Sequence, residues 1–164
     1  MDPNNIDSLY YNYSRHILKA IKDLRTTGKI GFYPRNKYMY IKTQNKYNLK
    51  AFNILNNAGF QLPQNWNKSV GPKSHISLVN GFEQDRLLCR DDAYRIYQKY
   101  KNVDVEFQID EVQFNLQWDR KTERSKIVCI LTITSKMIAD IRSEMKLEES
   151  PHFRQHISLC SKFI

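Results

Sequence analysis

The chain has 164 residues, 41% of them hydrophobic, which is enough to bury one core, and no linker-like stretch divides it, so we expect a single domain over 1–164. Its 26 Lys and Arg against 17 Asp and Glu give a net charge of +9, which favours nucleic acids, nucleotides or other phosphates as partners. No apolar run approaches the roughly 18 residues that span a bilayer, and three cysteines without C-x-x-C spacing argue against a disulfide framework or a zinc ribbon.

These features predict a cytoplasmic protein with reduced cysteines and no membrane contact. Abundant Asn and Lys are typical of AT-rich genomes, including those of many viruses, and the host cytoplasm is the expected location if the chain is viral. No obligate protein partner is predicted.

The first predicted element is an amphipathic helix at 5–26, where apolar residues recur every three or four positions and Gly28 is placed to end the helix. Residues 1–36 are therefore expected to form an N-terminal helical extension, and 37–164 the core. A strand at 38–42, a helix at 49–57 and a strand at 74–80 follow. This order is β-α-β.

The second half of the chain repeats that order, with a strand at 127–133, a helix at 135–147 and a strand at 155–161. Between the copies the pattern predicts one helix, two alternating strands and a charged turn, at 91–101, 103–109, 112–118 and 119–125. We expect an α+β fold: two pseudo-symmetric βαβ-type lobes with mixed, largely antiparallel sheets around a central cleft, plus the N-terminal amphipathic helix.

A tetrapeptide occurs twice, as His75-Ile76-Ser77-Leu78 and His156-Ile157-Ser158-Leu159. Successive side chains of a strand alternate between faces, so each histidine shares a face with the serine two residues later, while Ile and Leu face the core. Lys73 and Arg154 precede their histidines by two residues and join the same faces. Cys160 continues the face of the second motif; it either borders the site or is structural. A cation, an imidazole and a hydroxyl together suit an anionic substrate.

Metal-free cleavage of a phosphodiester needs a base for the nucleophile and an acid for the leaving oxygen, and histidine can be either near neutral pH. The serines would hydrogen-bond the phosphate oxygens. The expected catalytic residues, with the order of acid and base left open, are His75, His156, Ser77 and Ser158. No cofactor or metal is predicted, because the one H-x₃-H pair, His152 and His156, falls on a loop and a strand.

Two His-x-Ser/Thr-hydrophobic motifs about 80 residues apart, each on a strand of a duplicated βαβ-type lobe, resemble the two-histidine (2H) phosphoesterase superfamily. The resemblance covers about 37–162, and this chain has serine where threonine is commoner. It implies a metal-independent phosphodiesterase acting at a 2′ oxygen of an RNA-type substrate, with 2′,5′-oligoadenylate or a related signalling oligonucleotide as the leading candidate.

Three alternatives stay open. Within the same family, the chain is a 2′,3′-cyclic phosphodiesterase or a cyclic-oligonucleotide hydrolase; outside it, the charge of +9 fits a non-catalytic RNA-binding module. The expected partner is accordingly a short RNA-like oligonucleotide or a cyclic nucleotide.

Aromatic side chains near the expected cleft are candidates for stacking on a base, which contributes about 1–3 kcal/mol. Tyr38 and Trp118 are two of them. The residues expected to bind substrate are Lys73, Arg154, Tyr40, Phe82 and Phe153.

Overall fold

The computed structural model describes residues 2, 4–36, 38–64, 66–68, 72–79, 83, 90–148 and 154–164. This part of the chain has an α+β fold in which four α-helices accompany one open seven-stranded sheet. The helices are α1 (Ile6–Ile21), α2 (Lys46–Leu55), α3 (Arg90–Tyr100) and α4 (Lys136–Glu144). A 3₁₀ turn at Asn56–Ala58 extends α2. No helix in the described ranges is long and apolar enough to cross a membrane.

The strands follow the order β4-β1-β2-β3-β7-β6-β5 across the sheet. Their bounds are β1 (Thr27–Tyr33), β2 (Tyr38–Lys42), β3 (His75–Ser77), β4 (Val105–Glu106), β5 (Gln108–Asp119), β6 (Arg124–Thr134) and β7 (His156–Phe163). Every neighbouring pair among these strands is antiparallel, so the expectation of a mixed sheet was wrong.

The antiparallel pairing follows from where the chain re-enters the sheet. It leaves β2 at Lys42 and returns at His75, which is the register partner of Lys42. In the same way it leaves β6 at Thr134 and returns at His156, the partner of Thr132. In each case the intervening helix and loop start and finish at the same end of the sheet, so the next strand runs the opposite way.

Strand β1 was not predicted from the sequence. Residues 1–36 were expected to form a helical extension, but α1 ends at Ile21, and β1 pairs with β2. The strand propensity of this segment is low because it contains Gly28 and Gly31, and glycine is depleted in strands. Both are needed there. A Cβ at Gly31 would lie 2.1 Å from the ring of Tyr40, so glycine allows that ring to lie across β1.

The two strands predicted at 103–109 and 112–118 have different bounds in the structure. Only Val105–Glu106 forms β4, which pairs with β1 at one edge of the sheet. From Gln108 to Asp119 the chain forms the single long strand β5 at the other edge, with a register shift between Ile109 and Val112.

The helices cover one face of the sheet. Helix α1 packs on α2 and β5, α2 packs on β7, and α3 packs on β1. Ile76 and Ile157, the second residues of the two motifs, are fully buried beneath this layer. Burying an isoleucine side chain contributes about 1.5–3 kcal/mol. The motif strands are therefore anchored by their hydrophobic residues, and their polar residues lie on the opposite face of the sheet, which we call the open face.

Candidate functional site

The two motifs lie side by side at the centre of the sheet, because β3 and β7 are neighbours and Ile76 is paired with Ile157. In antiparallel strands this register places His75 opposite Ser158, and His156 opposite Ser77. Opposite residues share a face, so all four polar side chains lie on the open face, where they are half-buried or exposed. Neighbouring strands are about 4.8 Å apart. The arrangement gives one compact group of two imidazoles and two hydroxyls.

Both imidazoles are held in the same way. Nδ1 of His156 lies 2.8 Å from the carbonyl oxygen of Arg154, and Nδ1 of His75 lies 3.4 Å from that of Lys73. A carbonyl can only accept, so these contacts favour the tautomer that carries its proton on Nδ1. Nε2 of each neutral ring is then left as a proton acceptor, which is the state that a general base needs.

The pKa of His75 lies below its usual value of 6.5. Burial is the main cause, the nearby charge of His156 adds to it, and the hydrogen bond to the Lys73 carbonyl acts in the opposite direction. Burial and a like charge both disfavour the imidazolium form. His75 is therefore neutral at pH 7.

We expect the NMR titration of the His75 ring to have its midpoint below pH 6.5, and His156→Ala to raise that midpoint because it removes a like charge. Since the folded-state pKa is lowered, the linked stability is fully present above pH 6.5 and is lost as the pH falls through the folded-state pKa. A midpoint at or above 6.5, or one that His156→Ala leaves unchanged, would contradict this account.

Three tyrosines form a cluster on the open face next to His75: Tyr33, Tyr38 and Tyr40. Their ring centroids are 5.6–6.3 Å apart, and Tyr38 and Tyr40 meet the His75 ring edge-on at 6.3 and 6.0 Å. Burial raises the pKa of Tyr40 to about 12, so this hydroxyl is protonated at neutral pH. The cluster is an aromatic surface beside the first motif.

Tyr38 also contacts the motif directly, because its hydroxyl lies 2.8 Å from Oγ of Ser77. Tyr33 was missed in the sequence. Tyr33 can be identified from the register of the β1–β2 hairpin, in which it is paired with Tyr38. Because β1 was not predicted, this register was not predicted either.

The two predicted cations have other contacts. Arg154 forms ion pairs with Asp110 and Glu111 at the start of β5, while Nζ of Lys73 lies 5.6 Å from the ring centroid of Trp66. Lys42, which was not among the predicted site residues, is exposed and is the register partner of His75. By strand alternation Lys42 shares the open face with His75, so it adds positive charge to the site.

The remaining aromatic residues predicted for the site are not placed beside the motifs. Phe82 and Phe153 lie outside the described residues, as does His152. Trp118 shares its face of β5 with Phe114, which contacts Phe60 in the core, so it lies on the face opposite the motif side chains.

Cys160 does not continue the face of His156 and Ser158. The register between β6 and β7 shifts at this point: Ile130 pairs with Ser158, but Cys129 pairs with Cys160. Leu159 is therefore an extra residue, and such a bulge reverses the alternation that follows it. Cys160 is buried towards α2, and burial raises its thiol pKa to about 12. It packs in the core, and it also lines a cleft next to Ser158.

Each motif ends on a leucine whose carbonyl is bound by a buried polar side chain from a helix. Nδ2 of Asn48 in α2 donates to the carbonyls of Ser158 and Leu159 at 2.8 and 2.9 Å. Arg142 in α4 donates to the carbonyl of Leu78 at 2.7 Å. Asn48 and Arg142 are both fully buried, so the helix layer fixes the backbone of both motifs.

Among the described residues, no group of three or more His, Cys, Asp or Glu side chains is positioned to hold a metal ion. No protein-family model, curated protein or solved structure matches this chain. The fold and the site define an open antiparallel sheet with a paired His-x-Ser centre.

Proposed function

We propose that this protein is a 2H-type phosphodiesterase that cleaves an RNA-type phosphodiester involving a 2′ oxygen, with 2′,5′-oligoadenylate or a related signalling oligonucleotide as its substrate. It would act in the cytoplasm, or in the host cytoplasm if the chain is viral. The observation that carries the proposal is the pairing of Ile76 with Ile157. Through it, one imidazole and one hydroxyl from each motif lie on the same face of two neighbouring strands, where they can contact one phosphate group.

The order of elements supports an internal duplication. The first half runs α1-β1-β2-α2-β3, and the second runs α3-β4-β5-β6-α4-β7. Across the sheet, β1-β2-β3 on one side is matched by β5-β6-β7 on the other, as a twofold axis between β3 and β7 requires. Among the strands of the described residues, β4 is the addition to this pattern. Two equivalent histidines across such an axis are what an acid and a base on opposite sides of a phosphate need.

In the proposed reaction, Nε2 of His75 takes the proton from the attacking water or ribose hydroxyl, because this ring is neutral at pH 7. His156, protonated at Nε2, gives its proton to the leaving ribose oxygen as the bond to phosphorus breaks. Ser77 and Ser158 donate hydrogen bonds to the non-bridging oxygens. If the Tyr38 hydroxyl donates to Ser77, the serine hydrogen stays available for the phosphate.

The test is incubation of the protein with excess EDTA and, separately, 2′,5′-oligoadenylate, 3′,5′-oligoadenylate, a 2′,3′-cyclic mononucleotide and a cyclic dinucleotide, with the products resolved by chromatography. We expect cleavage of the 2′,5′ linkage despite EDTA. Cleavage of only the cyclic mononucleotide or the cyclic dinucleotide would move the assignment to one of the other activities of the family.

A non-catalytic RNA-binding module is the second candidate, and the net charge of +9 favours it. It predicts binding without product, with an affinity that falls linearly on a log–log plot against salt concentration. Tight, salt-sensitive binding of an uncleaved oligonucleotide would therefore replace the enzyme proposal.

A further inference from the structure

A cleft opens on the β7 side of the motif pair. Its volume is about 190 Å³, and its lining includes Pro63, Gln64, Gln117, Lys126, Val128 and Ser158. Pockets for drug-sized ligands typically measure about 300–1,000 Å³, so this one suits a single ring system. Ser158 belongs both to the cleft and to the His-x-Ser centre. A group bound in the cleft would therefore lie beside a phosphate held by the motifs.

The chemistry of the cleft suits a neutral polar ring and not a second phosphate. Lys126 is the cation among the described residues of the lining, and its ammonium group contacts the Asp119 carboxylate at 3.1 Å. That lysine lowers the pKa of Asp119, so the carboxylate stays charged and offsets the ammonium. Gln64 and Gln117 each bring an amide with donors and an acceptor. Amides can pair with the edge of a nucleobase, and Val128 and Pro63 supply apolar walls.

The cleft and the tyrosine cluster lie on opposite sides of the motifs. The tyrosines are on β1 and β2, while Gln117 and Lys126 are on β5 and β6. From β2 to β6 is three strand spacings, or about 14 Å. One nucleoside cannot occupy both places, but two nucleosides joined through a phosphate at the motifs can.

We propose that the cleft is a second nucleoside subsite, which binds a base through Gln64 and Gln117, and that the substrate carries a nucleoside on each side of the scissile phosphate. This inference rests on the proposed function and narrows it to a dinucleoside phosphate or a longer oligonucleotide. Stacking on tyrosines contributes more than neutral hydrogen bonds, so a mononucleotide places its single base on the tyrosine cluster and leaves the cleft empty.

The first experiment compares kcat/KM for 2′,5′-linked diadenylate and the dissociation constant of adenosine 2′,3′-cyclic phosphate in wild type, Gln117→Ala and Gln98→Ala. Gln98 is an exposed glutamine on α3 and serves as the matched control. We expect Gln117→Ala to lower kcat/KM for diadenylate by about three- to tenfold, the effect of one neutral hydrogen bond. The value for the cyclic mononucleotide, and both values in Gln98→Ala, should not change. Equal effects on both substrates, or none, would overturn the subsite.

The second experiment separates the subsite from the activity. The dissociation constant of 2′,5′-linked diadenylate is measured with the His156→Ala variant, with and without Gln117→Ala, so that no turnover intervenes. Threefold to tenfold weaker binding supports the subsite even if the wild type cleaves nothing, in which case only the proposed function is wrong. Unchanged binding overturns the subsite even if the wild type is active.

Discussion

Replacing either motif histidine, as His75→Ala or His156→Ala, should lower kcat for the cleaved substrate by about 10²–10⁴-fold, the usual contribution of a general acid or base. The fold should survive, because both rings lie on the open face while Ile76 and Ile157 anchor the strands. The measurement is kcat at saturating substrate with EDTA, alongside circular dichroism and thermal unfolding of each variant.

The matched control is His16→Ala, which changes an exposed histidine on α1 and should leave kcat unchanged. Full activity in either motif variant would remove the two-histidine mechanism. The double variant should lose little more than a single one, since residues that act as a unit are strongly non-additive.

The same variants identify the acid. In a phosphodiester with a p-nitrophenyl ester, the leaving group departs as p-nitrophenolate and needs no proton from an acid. This substrate should therefore restore much of the activity of His156→Ala but not that of His75→Ala. Rescue of the opposite variant would exchange the two roles while keeping the mechanism. A loss that is equal in both variants with this substrate would argue that neither histidine acts as the acid.

The faces of the motifs could be predicted from the sequence because they depend only on local geometry. In His75-Ile76-Ser77, alternation by itself separates the polar side chains from the buried isoleucine, and the structure has that burial pattern. The strand at 38–42 was confirmed for the same reason, since its buried residues alternate with partly buried or exposed ones.

What could not be predicted depends on contacts between distant parts of the chain. No local pattern specifies that β3 pairs with β7, although that register creates the site. The bulge that turns Cys160 into the core is a property of the pairing with β6. The ion pair of Arg154 with Asp110 joins residues 44 positions apart in the chain, and Glu111, the second partner of Arg154, is the next residue after Asp110. Strand β1 was not predicted because it contains two glycines, which make room for neighbouring atoms of β2: Gly31 for the ring of Tyr40, and Gly28 for the carbonyl oxygen of Lys42.

Arg142→Met should lower the free energy of unfolding by about 3–5 kcal/mol, the cost of removing one partner of a buried ion pair. Arg142 is fully buried and donates to the Glu83 carboxylate, to the Glu148 carbonyl at 2.8 Å and to the Leu78 carbonyl at 2.7 Å. Methionine fills the volume but leaves Glu83 without this arginine. Urea denaturation at pH 7, followed by circular dichroism, measures the change.

The control is Arg95→Met, which removes an exposed arginine lying 3.9 Å from Asp92 and should change stability by less than about 1 kcal/mol. A loss of that small size in Arg142→Met would show that the buried pair contributes little.

The variant Arg142→Met with Glu83→Leu separates the charge from the carbonyl contacts. Replacing a whole buried ion pair by apolar residues is often neutral, so this variant should recover the part of the loss that comes from removing Arg142 beside the Glu83 carboxylate. The carbonyl of Leu78 would still lack its donor, and an unsatisfied buried polar group costs about 1–3 kcal/mol. Recovery should therefore be partial, and the remaining loss of stability measures what the hydrogen bonds from Arg142 to the carbonyls of Leu78 and Glu148 contribute.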